Sequence, residues 1–120
     1  MAFFRCGGGN NGGGYERIAI DNSALISGKY ISENNGQEIN ASDWSSTDFI
    51  EIKGTSLFFT GAIYGYGSNI YNAFYDENKD YVSRLTITNP DDEITIPSTA
   101  KYMRISCRTA LFTSNHYFIG

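Results

Sequence analysis

Short runs in which apolar and polar side chains alternate, each closed by a turn signal, set the tightest limit on what this chain can fold into. Thr47 to Lys53 is one such run. Residues two apart share a face of a strand, so Ile50 and Ile52 point one way and Phe49 and Glu51 the other. Lys101-Tyr102-Met103-Arg104-Ile105-Ser106-Cys107 repeats the pattern. There Met103, Ile105 and Cys107 suit a core face, and Tyr102, Arg104 and Ser106 the opposite one. Glu93-Ile94-Thr95-Ile96 alternates as well. No segment sustains a helical period, and the residues in these runs are strand formers. The pattern predicts an all-β, two-sheet antiparallel β-sandwich. It places Ile50, Ile52, Ile94, Ile96, Met103 and Ile105 in the core.

Turn signals divide the chain. Asn34-Asn35-Gly36 reads as a tight turn, because Asn and Gly accept positive φ. Asp76-Glu77-Asn78-Lys79-Asp80 reads as the polar turn of a hairpin between Asn72–Tyr75 and Tyr81–Leu85. Asn89-Pro90-Asp91-Asp92 is a further turn. Residues 7–14 are Gly-Gly-Gly-Asn-Asn-Gly-Gly-Gly, a composition that cannot pack a core. The expected organisation is therefore a Gly-rich arm or linker over residues 1–14, carrying Phe3 and Phe4, and one folded domain over residues 15–120.

Composition removes several function classes. The chain carries a formal net charge of −4 with acids and bases interspersed, so a nucleic-acid phosphate backbone is not an expected partner. No apolar run approaches the roughly 20 residues of a membrane-spanning helix. Met1-Ala2-Phe3-Phe4-Arg5-Cys6 lacks the charge order and the apolar length of a signal peptide. Cys6 and Cys107 are too few for a disulfide framework, and burial preference favours a free, buried Cys107. His116 is the single histidine, which excludes a zinc cluster of histidines. The acids fall mostly in turns rather than as spaced pairs for hydrolysis. No catalytic or metal residues are assigned.

Aromatic residues make up 15% of the chain, with nine Tyr and eight Phe, and this points to binding. A pyranose is held by flat rings against its C–H faces and by a few polar groups for its hydroxyls. Tyr64, Tyr66 and Tyr71 lie in a segment where Gly61, Gly65 and Gly67 leave the rings uncovered. Trp44 sits in a Ser/Asp-rich turn just before a strand. Arg104 stands at the non-core parity of its strand, beside Tyr102. These five residues, Tyr64, Tyr66, Tyr71, Trp44 and Arg104, are the candidate ligand-binding set. Core or inter-sheet packing is the competing reading for each ring, and a cross-strand ion pair for Arg104.

From Lys29 to Arg108, about two thirds of the chain, a succession of phrases is family-like. It runs Asn35-Gly36-Gln37-Glu38-Ile39, then Trp44 to Ile52, then Phe74 to Ser83, then Ile96 to Ser106. This order resembles the galactose-binding-like jelly-roll domains of phage and prophage tail and receptor-binding proteins. The resemblance implies a jelly roll that binds a glycan or bacterial surface polysaccharide and reaches the outside within a virion or after lysis. It also implies homo-oligomers or other virion proteins as partners. Domains of this kind sometimes hold a structural calcium, for which Asn34, Glu38, Asp43 and Asp48 supply oxygens. A structural virion or filament subunit, with the arm making subunit contacts, is the alternative role. Neither the Gly-rich leader nor the stretch from Thr109 to Gly120 follows the family pattern.

Overall fold

The computed structural model describes residues 15–60, 70–87, 93–111 and 116–120. The arm over 1–14, the Gly-Tyr segment with Tyr64 and Tyr66, and the Asn89–Asp92 turn lie outside the described residues. Every regular element among those described is a strand, apart from the single 3-10 turns Asn22–Ala24 and Thr109–Leu111. The strands are β1 (Glu16–Ala19), β2 (Ile26–Ile31), β3 (Glu38–Ser46), β4 (Ile50–Glu51), β5 (Ser56–Thr60), β6 (Ile70–Tyr75), β7 (Tyr81–Arg84), β8 (Ile94–Thr95), β9 (Tyr102–Arg108) and β10 (His116–Ile119).

They form two antiparallel sheets packed as a β-sandwich. The four-stranded sheet runs β1-β10-β5-β8, and the six-stranded sheet runs β2-β3-β9-β6-β7, with β4 also paired to β9. The chain changes sheet at β1–β2, β4–β5, β5–β6, β7–β8, β8–β9 and β9–β10. β9 is the spine of the larger sheet, pairing with β3, β4 and β6.

Alternation along β9 settles as its sequence predicts. Met103, Ile105 and Cys107 are each fully buried. They pack with Phe74 of β6 and with Leu57, Phe59, Tyr117 and Ile119 of the facing sheet. Ile52 and Ile96 are buried with them, while Ile50 and Ile94 are half-buried at the margin of the same cluster. Between β3 and β4 the ladder is interrupted, and Thr47 takes over the pairing. Its amide donates to the Ile105 carbonyl at 2.9 Å, and its hydroxyl accepts from the Ile105 amide at 3.0 Å.

The β2–β3 hairpin departs from a flat sheet. Ser27 pairs with Ser45, but two residues later Lys29 pairs with Asn40, so residues 41–44 bulge out of the ladder. A bulge of this size bends the ribbon. The far half of the hairpin folds onto the outer face of the six-stranded sheet, where Ile31 is fully buried with Ala73 and Tyr75. Its tip, Asn34-Asn35-Gly36, turns as expected, with Gly36 at φ +73. A Cβ at Gly36 would stand 2.9 Å from ring atoms of both Tyr75 and Tyr81, so close contact as well as φ selects glycine there. The Tyr75 hydroxyl donates to the Gly36 carbonyl and the Tyr81 hydroxyl to the Glu33 carbonyl, both at 2.6 Å.

The other predicted hairpin also forms. Asp76 accepts from the amides of Asn78 and Asp80 at 2.8 and 3.0 Å, and Lys79 takes the left-handed conformation at φ 65 that closes the turn. Among the described residues no helix is long and apolar enough to cross a membrane.

Cys107 is a free thiol inside the core. Burial pushes the Cys107 thiol and the Tyr75 and Tyr117 phenols up to about 12, from ordinary values of 9.0 and 10.0. The neutral forms are favoured on folding, so their contribution is complete below the unfolded values and is lost as pH rises. The melting temperature should therefore hold level from neutral pH to about pH 9 and fall between there and about pH 12. A thermal melt series across that range checks it, and a Cys107→Ala variant should begin its decline about a unit later.

Candidate binding site

Of the predicted set, Trp44, Tyr71 and Arg104 are among the described residues, and all three stand on the six-stranded sheet. Cross-strand register sets them in rows: Trp44 opposite Arg108, Ser46 and Tyr71 opposite Ser106, Ala73 opposite Arg104, and Tyr75 opposite Tyr102. Two groups result, one around Arg104 and one around Trp44.

Arg104 anchors the first group, and the structure corrects the expectation that it is open to a ligand. It is only 5% exposed. Its Nε donates to the Thr47 carbonyl at 2.9 Å and its Nη2 to Glu38 at 2.8 Å. Its guanidinium lies 4.9 Å from the centre of the Phe49 ring. Phe49 in turn meets Tyr75 edge-on at 4.9 Å, and the Lys79 ammonium lies 5.2 Å from the Phe49 ring. The competing reading, a structural ion pair, is the one realised, though across the hairpin rather than along the ladder. Parity had placed Arg104 away from the main core correctly. What parity does not encode is that β2 and β3 come back to cover that face.

The second group is a set of three rings. Tyr30, Trp44 and Tyr71 have centroids 5.3 Å (Tyr30–Trp44), 5.0 Å (Tyr30–Tyr71) and 5.3 Å (Trp44–Tyr71) apart, the last pair stacked. Trp44, at 7% exposure, belongs to the main buried cluster, so for this ring the competing reading of core packing is the one realised; Tyr30 and Tyr71 are half-buried and packed against it. Arg108 lies over the Trp44 ring at 5.9 Å and pairs with Asp43 at 2.6 Å, both side chains exposed. Two of the predicted residues, Trp44 and Tyr71, are thus brought together, and Arg104 is not with them. Tyr30, Arg108 and Asp43 complete the group and were not anticipated. The parity of Arg108 with Arg104 along one strand was the available signal.

The oxygens considered for calcium are dispersed. Asn34 accepts from Arg84, Glu38 from Arg104, Asp43 from Arg108 and Asp48 from the Phe49 amide. Among the described residues no three His, Cys, Asp or Glu side chains form a metal-holding group. His116 lies against Arg17 and the Phe118 ring.

Two concavities are lined by described residues. One of about 240 Å³ is walled mainly by Ile18, Ile20, Leu25, Phe49, Ile50 and Tyr117. The other, about 550 Å³, runs between the β4–β5 and β8–β9 links. Only the second falls within the roughly 300–1,000 Å³ usual for small-molecule sites. No protein-family model, curated protein or solved structure matches the chain.

Removing the Arg104 charge while leaving Glu38 and the Thr47 carbonyl in place should be costly. Arg104→Ala should lower unfolding free energy by about 3–5 kcal/mol in denaturant titration. The neighbouring Ser46 has the opposite character: its buried hydroxyl has no hydrogen-bond partner. Ser46→Ala should leave stability unchanged or raise it by about 1 kcal/mol in the same assay.

Proposed function

We propose that this chain is a non-catalytic carbohydrate-binding β-sandwich of jelly-roll topology, serving attachment in a phage or prophage particle. The Tyr30–Trp44–Tyr71 cluster, with the exposed Arg108–Asp43 pair at its rim, is the observation that carries this reading. Tyr30 and Tyr71 offer ring surface to the C–H face of a sugar. Trp44, packed behind them, keeps the rings in place before the ligand arrives, which lowers the ordering cost of binding. Arg108 presents a forked donor suited to adjacent hydroxyls, and Asp43 an acceptor. The succession of sequence phrases that resembles galactose-binding-like domains supports the same reading. Its particle context comes from that resemblance alone.

The test is calorimetry against bacterial surface polysaccharides chosen from a glycan array. Tyr71→Ala should weaken binding by about 1–3 kcal/mol, the range of an aromatic anchor. Arg108→Gln, at an exposed side chain, should weaken it while leaving the melting temperature nearly unchanged. A folded protein that binds no glycan, or an Arg108→Gln variant that binds as the parent does, would overturn the assignment.

A further inference from the structure

The wider groove has a composition that the aromatic cluster lacks. Its floor is Ile52, Ile96 and Ala100, all buried. Its walls are held together by the Ile52 amide donating to the Lys101 carbonyl and the Ile96 amide to the Thr55 carbonyl, each at 2.9 Å. The rim carries Lys53, Lys101, Glu51 and Ser98.

Pairing among the described cations singles out this place. Arg84, Arg104 and Arg108 pair with Glu33, Glu38 and Asp43. Lys29 donates to Asn40, Arg17 meets His116, and Lys79 lies over the rings of Phe49 and Tyr102. Lys53 and Lys101 alone among the described lysines and arginines have no such partner, and both line the groove. The backbone is open there too: no backbone carbonyl among the described residues accepts from the amides of Lys53, Gly54, Ser98 or Thr99. Two exposed lysines without a partner among the described residues, lining a groove with an apolar floor in a chain of net charge −4, form a local site for a compact anion attached to an apolar face. Among the described lining residues Glu51 is the one carboxylate; it leaves an excess of positive charge there and can accept from a hydroxyl.

We propose that this groove binds the carboxylate of an acidic sugar, with Lys53 and Lys101 on the carboxylate and the pyranose C–H face on Ile52, Ile96 and Ala100. The chain's ligand is then an anionic polysaccharide. This deepens the glycan-binding reading and rests on it, but through residues separate from the Tyr30–Trp44–Tyr71 cluster.

Amide NMR on the full chain, titrated with trigalacturonate, neutral galactotriose and inorganic phosphate in parallel, tests it. Trigalacturonate should shift the amides of Lys53, Gly54, Ser98 and Thr99, less so as salt is raised. Lys53→Gln and Lys101→Gln should each weaken that response by about tenfold, one charge-assisted contact apiece. Glu51→Gln should strengthen it. Tyr71→Ala should leave the groove response intact, so failure at the rings and failure at the groove are read separately. The proposal falls if trigalacturonate leaves the groove amides unmoved, or if the double lysine variant binds as the parent does. It falls equally if galactotriose or phosphate alone shifts those amides as strongly, since the groove would then recognise no acidic sugar.

Discussion

The Arg104 guanidinium is the contact on which the larger sheet depends. It stands where three pieces of chain meet: β9, the interruption between β3 and β4 at Thr47, and the returning hairpin through Glu38. A guanidinium taken out of water is stable only when its donors are satisfied and its charge is matched. Those demands fix the distance of the hairpin from the sheet, and the Phe49 ring closes the remaining side. The same arrangement lets Tyr75 and Tyr81 reach the backbone of the hairpin tip. The outer face of this sheet thereby becomes a second, smaller core, with Ile31 and Ala73 fully buried in it.

Covering that face leaves the rings of Tyr30, Trp44 and Tyr71 gathered beyond it. The division follows from the bulge over residues 41–44, where the ribbon changes course. One stretch of chain thus seals Arg104 and also brings Tyr30 to Tyr71. Aromatic content that looks excessive for a small domain serves two purposes, packing against a covered sheet and building the Tyr30–Trp44–Tyr71 cluster at the margin of the main core.

The main core was legible because β9 obeys a period of two and its apolar parity meets the other sheet. Met103, Ile105 and Cys107 needed nothing beyond that rule. The turns at Gly36 and Asp76–Asp80 were legible from local chemistry, positive φ in one and carboxylate capping in the other. The fate of Arg104 was not legible, since its cover is supplied by residues some 66 positions away in sequence. Alternation says which face a side chain takes and is silent on what later folds over that face. Tyr30 and Arg108 escaped notice for the same reason: their association with Trp44 is a product of sheet pairing. The groove with Lys53 and Lys101 comes from two links distant in sequence, and neither lysine carries a local pattern that marks it.

The pairing of β1 with β10 has a mechanical meaning. Glu16 lies opposite Ile119 and Ala19 opposite His116, so the two strands begin and end their ladder together at one edge of the smaller sheet. Tension drawn through the chain on either side of this body would reach the outermost rung first and part the rungs in turn, as a zipper opens. Shear, which loads all rungs at once, would require the strands to run parallel or to be pulled from opposite ends. Once those rungs part, the load passes to β2 and β9, the strands of the Arg104-centred sheet that adjoin β1 and β10 in the chain.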